Sequence, residues 1–165
     1  MADADDTAWP DLTRHEAELA TVRMFARQSG AVRVTALLDI GAGTAPLLLE
    51  AEPGAPVTIT LGEAVYVVPD EALDDVAPLP VAPPPRPVPA TAISVDAAQG
   101  EVAAPLGAVA SLGAAVLALA RSLGGRSVAM ADFPTASGEP LSIAARDGEP
   151  LVLAMGEHQF EFDAP

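Results

Sequence analysis

PLLLEAEPGAPVTITLGEAVY, residues 46–66, decides the fold because the chain repeats it as PLSIAARDGEPLVLAMGEHQF over residues 140–160. The two stretches align without a gap at an offset of 94 residues, and seven of their 21 positions are identical. About two identities are expected by chance in a composition this biased. We interpret the pair as an internal duplication.

Apolar and polar residues alternate within both copies with the period of two that is typical of half-buried β-strands. In the first copy, Val57, Ile59 and Leu61 share one face, and Thr58 and Thr60 share the other. The second copy has Leu, Leu and Met at the three matching apolar positions. The pattern therefore predicts the same succession of strands twice.

The breaks between these strands carry turn residues in both copies. Pro53-Gly54 favours a type II turn, and Asp147-Gly148 favours a type I′ turn. Gly62-Glu63 and Gly156-Glu157 place glycine first, as a type II′ turn requires. These residues predict tight antiparallel hairpins.

The correspondence extends upstream through a first strand into a helical segment that ends at Gly30 or Gly124. We therefore predict an α+β fold of two tandem pseudo-symmetric α-β-β-β-β units, each an antiparallel meander with a helix on one face. Either unit alone would have a marginal core, so we expect them to pack as one body.

The predicted organisation has four parts. In order, they are a flexible acidic N-terminus, the first repeat, an acidic and Pro-rich linker and the second repeat, over residues 1–10, 11–69, 70–92 and 93–165. Seven prolines between Pro78 and Pro89 favour a stiff extended segment, which could also serve as a docking peptide for an aromatic groove. We also expect a short strand at Ile93–Val95 and a helix over 105–122.

Composition limits the possible functions. The net charge of −15 repels nucleic-acid phosphate and anionic lipid and fits another protein, a basic one included, as partner. Cysteine is absent, which excludes disulfides and thiolate sites. Met1–Asp6 is acidic where a secretory signal has basic residues, and the uncharged run Val102–Ala120 is interrupted by proline and glycine. We expect a cytoplasmic protein without a nucleic-acid or membrane partner.

A glycine-rich loop supports an enzymatic alternative. Residues 38–44, LDIGAGT, resemble the first motif of class I S-adenosylmethionine-dependent methyltransferases, D-x-G-x-G-T-G after a strand. The resemblance implies that Asp39, Gly41 and Gly43 line a cofactor loop and that Glu63 binds the ribose hydroxyls. The chain departs from the motif at Ala45, where the family has a third glycine.

The other reactive side chains form no catalytic or metal-ligating pattern. His15 and His158 are the only histidines, and neither has a ligand-like spacing. No nucleophile elbow is present, and the acidic clusters lack calcium-loop spacing. We therefore predict no catalytic residue, no metal site and no cofactor.

The two copies differ on their outward faces. In the second copy, most outward residues are small or polar. The outward residues of the first copy include several apolar and β-branched side chains: Leu37, Leu48, Thr58, Thr60, Val65 and Val67. Such a face needs cover. The leading hypothesis is a non-enzymatic acidic protein-binding module, either an adaptor, a secretion-chaperone-like escort or an immunity-type inhibitor. The alternatives are methyltransferase-like cofactor binding at Asp39–Thr44 and a structural subunit whose outward face closes a homo-oligomer.

Overall fold

The structure, a computed structural model, describes residues 15–39, 43–80, 85–87, 94–102, 104–133 and 135–163. Its helices are α1 (Glu16–Ser29), a 3₁₀ helix (Asp70–Leu73), α2 (Val95–Glu101) and α3 (Leu106–Ser122). Its strands are β1 (Val32–Asp39), β2 (Thr44–Ala51), β3 (Val57–Leu61), β4 (Ala64–Val68), β5 (Arg86–Pro87), β6 (Ser127–Phe133), β7 (Leu141–Arg146), β8 (Leu151–Met155) and β9 (His158–Phe162).

These strands form two antiparallel sheets. The first has the order β1-β2-β3-β4, and the second has the order β5-β9-β8-β7-β6. Each sheet contains a meander of four consecutive strands, which confirms the predicted α+β class with two similar β units. β1 also lies beside β6, so the sheets meet at the first strand of each meander.

The last two hairpins have the same register in both meanders. Leu49 lies opposite Ile59 in the first, and Ile143 lies opposite Leu153 in the second, at the repeat offset of 94 residues. The turn glycine between β3 and β4 and its counterpart between β8 and β9 both have a φ of 60°. Glycine adopts this left-handed conformation without steric cost, which explains why both turns use it.

The first hairpin differs between the meanders. Val34 pairs with Leu49, but its counterpart Val128 pairs with Ala145, two residues beyond the matching position. The register of β6 with β7 also changes between Met130 and Phe133. A shift of two residues keeps every side chain on its own face, so the inward residues of β6 remain in the core.

The core lies between the sheets and the helices α1 and α3, which pack against each other. The inward residues Val57 and Ile59 are buried in the first sheet, as are Leu151 and Leu153 in the second. α3 is built from the apolar run and is buried along most of its length. None of the helices in the described ranges has the length and hydropathy to cross a membrane.

One expected strand is wrong. Val95 begins helix α2, and the Ser94 hydroxyl accepts a hydrogen bond from the Ala97 N–H at 3.0 Å. This N-cap starts a helix where the β-branched residues of Ile93–Val95 favoured a strand. The predicted N-terminal segment 1–10 lies outside the described residues, as do several of the prolines.

The chain after the 3₁₀ helix crosses the helical layer. The Leu79 N–H donates to Thr21 Oγ1 of α1 at 2.8 Å, and Ser111 Oγ of α3 donates to the Pro80 carbonyl at 3.1 Å. These bonds hold residues 79–80 against both helices.

Candidate functional site

The outward face of the first sheet carries the most exposed large hydrophobic side chains among the described residues. Val65 is 57% exposed and Val67 is 58% exposed, both on β4. Among the described strands, β4 is the last of its sheet, so these side chains have a neighbouring strand, β3, on one side only. Apolar side chains at this level of exposure are candidates for an interface.

Strand register brings other predicted residues to the same face. Thr58 lies opposite Val67, and Thr60 lies opposite both Val65 and, on the other side, Leu48. The two threonines and Leu48 are partly buried. We call this group the Val/Thr patch: Leu48, Thr58, Thr60, Val65 and Val67. Leu37 of β1 pairs with Pro46 of β2, and the side chain of Leu37 is not among those described.

The second sheet presents a different surface at the matching positions. Gln159 and Glu161 of β9 stand where β4 has its two exposed valines. Both sheets therefore have the same backbone arrangement, but only the first has an apolar outward margin. The Val/Thr patch is bordered by an exposed ion pair between Arg33 Nε and Glu50 Oε2 at 3.7 Å.

The outer strands of the two sheets also differ in what covers them. In the second sheet, β5 pairs with β9, with Arg86 opposite Glu161 and Pro87 opposite Phe160. Arg86 Nη2 also donates to Asp163 Oδ1 at 2.8 Å. In the first sheet, no strand within the described ranges pairs with the outer edge of β4.

A cavity of about 220 Å³ lies beside β4. It is lined by the start of α1, the end of β4 and the 3₁₀ helix, through Glu16, Leu19, Val67, Val68, Pro69, Ala72 and Leu73. Its lining is mainly apolar, with one carboxylate. Val67 therefore belongs to the Val/Thr patch and also lines this cavity.

A buried arginine fixes the wall of this cavity. Arg23 of α1 is only 8% exposed and donates to Asp74 Oδ1 at 2.8 Å and to the backbone carbonyl of Asp70. Arg27 Nη2 reaches Asp70 Oδ2 at 3.3 Å. Charged hydrogen bonds of this kind hold the 3₁₀ helix against α1.

The residues of the methyltransferase-like loop lie at one end of the first sheet. Asp39 ends β1, opposite Thr44, and Glu63 lies in the β3–β4 turn with β2 and β3 between the two. Gly43 is exposed with a φ of 148°, and Gly41 lies outside the described residues. The loop leads into strand β2, whereas the motif it resembles leads into a helix.

The described residues contain no group of three or more His, Cys, Asp or Glu side chains that could hold a metal ion. His15 precedes α1 and lies 3.6 Å from Glu18 Oε2, and His158 begins β9 in the second sheet. The structure thus does not bring the two histidines into one element or one sheet.

Sequence reasoning missed two features, the pairing of β5 with β9 in the second sheet and the cavity beside β4 in the first. The signal for the first was Arg86 within the proline run, since a lone charged residue there suggests a specific contact. The second depends on how α1 crosses the sheet, which no local pattern encodes. No protein-family model, curated protein or solved structure matches this chain.

Proposed function

We propose that this chain is a non-enzymatic, acidic protein-binding module whose partner covers the Val/Thr patch. The observation that carries the proposal is the exposure of Val65 and Val67, 57% and 58%, on a strand whose outer edge pairs with no other described strand. Burial of the exposed part of one valine contributes about 1 kcal/mol. Two valines framed by threonines supply an apolar centre for an interface.

The net charge of −15 supports a partner with a basic surface. Complementary charge accelerates association, and added salt weakens the effect. An adaptor, a secretion-chaperone-like escort and an immunity-type inhibitor each hold another protein, and an acidic body suits all three roles. The identity of the partner distinguishes these three roles.

We further infer that the two units are copies of one ancestral α-β4 unit, packed with approximate symmetry and joined by the acidic and Pro-rich segment 70–92. The shared register of the last two hairpins supports this origin. So do the similar φ angles of Gly54 and Gly148, 76° and 82°. After such a duplication, the second outward face could become polar while the first kept its partner.

The test exchanges the outward residues of the two strands. Val65→Gln with Val67→Glu gives β4 the side chains of β9, and Val152→Gln on the second sheet is the matched control. Partners retained from native lysate at low salt are quantified by mass spectrometry for the three proteins. We expect the control to retain the same basic protein as the wild type and the exchange variant to lose it about tenfold or more.

Equal retention by the exchange variant would contradict the proposal. Light scattering on the same samples identifies self-association, the competing use of this surface. A dimer that dissociates in the exchange variant would make the chain a homo-oligomer subunit instead.

A further inference from the structure

The edge of β9, which β5 covers, shows what the outer edge of β4 can accept, since no strand in the described part of the chain covers it. β3–β4 and β8–β9 share one register, in which Thr58 lies opposite Val67 and Val152 opposite Glu161. In an antiparallel ladder, the backbone groups of every second residue in an outer strand point away from the sheet. Glu161 is the residue that pairs with Arg86 of β5, and its counterpart in β4 is Val67.

From this equivalence we propose that the outer edge of β4 binds an extended, arginine-containing peptide segment of a partner protein as an added strand. The inference rests on the proposed protein-binding function and specifies the conformation of the partner segment that binds. The added strand pairs with Val67 as β5 pairs with Glu161. In this mode, main-chain hydrogen bonds supply affinity, and adjacent pockets select side chains.

The chemistry of the segment follows from the charges around the end of β4. Five carboxylates surround the cavity and the 3₁₀ helix, Glu16, Asp70, Glu71, Asp74 and Asp75, against two arginines of α1. Asp70 and Asp74 contact those arginines, whereas Glu16, Glu71 and Asp75 are exposed. The excess of negative charge favours a cationic side chain.

β5 provides the internal precedent for this pairing. Arg86 combines a backbone pairing with an ion pair to Asp163, the first residue beyond β9. Beyond β4, the chain continues through Pro69 into Asp70 and Glu71, so carboxylates again follow the outer strand. Arginine suits this position because its planar guanidinium reaches carboxylates with directed hydrogen bonds.

The cavity of about 220 Å³ lies at the same end of β4 and gives the segment a second anchor. Its apolar wall, formed by Leu19, Val68 and Leu73 with Val67 at the edge, fits an apolar side chain next to the arginine. The segment is therefore extended, contains an apolar residue near an arginine and carries net positive charge.

The first experiment uses the intact chain and a labelled peptide with the sequence of residues 82–90, APPPRPVPA. The same peptide with alanine for arginine is the matched probe. We expect saturable binding with a Kd of about 1 mM or tighter, weakened about tenfold by loss of the arginine. In ¹⁵N-labelled protein, the largest amide shifts are expected at Val65, Val67 and Val68.

Two variants test the edge and the charge separately. Val67→Pro removes a backbone N–H on the outer edge, a position where proline is tolerated, and should abolish binding of the peptide. Glu71→Lys with Asp75→Lys changes exposed residues only and should weaken binding about tenfold or more. Val152→Gln, on the outward face of the second sheet, is the control and should bind the peptide as the wild type does. A further variant, Leu48→Lys, changes the Val/Thr patch away from the edge.

The outcomes distinguish this inference from the proposed function. Absence of amide shifts in β4 at millimolar peptide would overturn the inference, as would equal binding by Val67→Pro. If the natural partner is then lost in Leu48→Lys but not in Val67→Pro, the protein-binding function stands without the added strand. The inference is also overturned if the peptide binds only after deletion of residues 1–14. A dimer that shifts the Val67 amide without peptide overturns it as well.

Discussion

The first unit, α1 with β1–β4, and the second, α3 with β6–β9, end in strands whose bounds match at an offset of 94 residues. Their helices match less closely. Where α1 has Leu19 and the buried Arg23, α3 has Gly113 and Leu117. The comparison shows that one meander tolerates two kinds of helix, which changes the surfaces beside it.

Gly113 sets how closely α3 lies to its sheet. A Cβ atom at this position would lie 2.9 Å from Leu151 Cδ2 and 3.1 Å from Ile143 Cγ2. The glycine therefore permits a close helix–sheet contact. In α1, the matching Leu19 is 2% exposed and lines the cavity beside β4. The first unit thus leaves a space at its margin, next to the edge that we propose as a binding site.

The largest expected effect on the free energy of unfolding comes from placing leucine, the residue at position 19 of α1, at the matching position 113 of α3. Gly113→Leu would force apart α3 and the strands β7 and β8, because the space is already filled by Leu151 and Ile143. We expect a loss of about 3 kcal/mol or more in the free energy of unfolding, measured by denaturant titration.

Gly100→Leu in α2 is the control for helix propensity. A Cβ at Gly100 meets no atom within 4 Å, and its φ is not in the left-handed region. This variant should be neutral or up to about 1 kcal/mol more stable. Equal effects of the two substitutions would show that close packing does not distinguish α3 from α1.

A smaller effect is expected from the converse exchange in α1, Arg23→Leu, which introduces the residue found at position 117. The leucine removes the donor to the Asp70 carbonyl and to Asp74 Oδ1, and leaves Asp70 with Arg27 only. We expect a loss of about 1–2 kcal/mol in the free energy of unfolding, together with faster amide exchange in the 3₁₀ helix.

Arg33→Leu is the matched control because its ion pair with Glu50 is exposed, with side chains 73% and 46% accessible. Its effect should stay within about 0.5 kcal/mol. Should Arg23→Leu be equally mild, the arginine would not be what separates the first helix from the second, and the cavity wall would be held by packing alone.

The strands were predictable because each signal is local. Alternation placed Val57 and Ile59 inside and Thr58 and Thr60 outside, and the paired glycines located the turns. The outward position of Val65 and Val67 followed from the same period of two. Whether a partner binds there depends on surface chemistry, which the alternation of residues along the strand does not predict.

The remaining features depend on contacts between distant parts of the chain. Proline argues against a strand, yet Arg86-Pro87 pairs with β9, where Pro87 needs no N–H on its solvent side. The Ser94 cap overrode the strand preference of its neighbours. The register of β6 against β7 is shifted by two residues relative to that of β1 against β2. This shift accompanies a longer connection, because β7 begins eight residues after Phe133 whereas β2 begins five residues after Asp39.

The smallest expected effect comes from substitutions that test whether the turns at Gly54 and Gly148 are equivalent in the two units. Gly54 and Gly148 have φ angles of 76° and 82°, and a Cβ at either would meet no atom within 4 Å. Substitution by alanine therefore costs only the strain of the left-handed conformation, about 1 kcal/mol, at both sites. The two turns have similar φ angles, and we predict that the two units unfold as one body. We therefore expect Gly54→Ala and Gly148→Ala to lower the free energy of unfolding equally. A clear difference between them would mean that the first and second hairpins lie in separately unfolding parts of the molecule, and hydrogen exchange of β3 and β8 would then show which unit opens first.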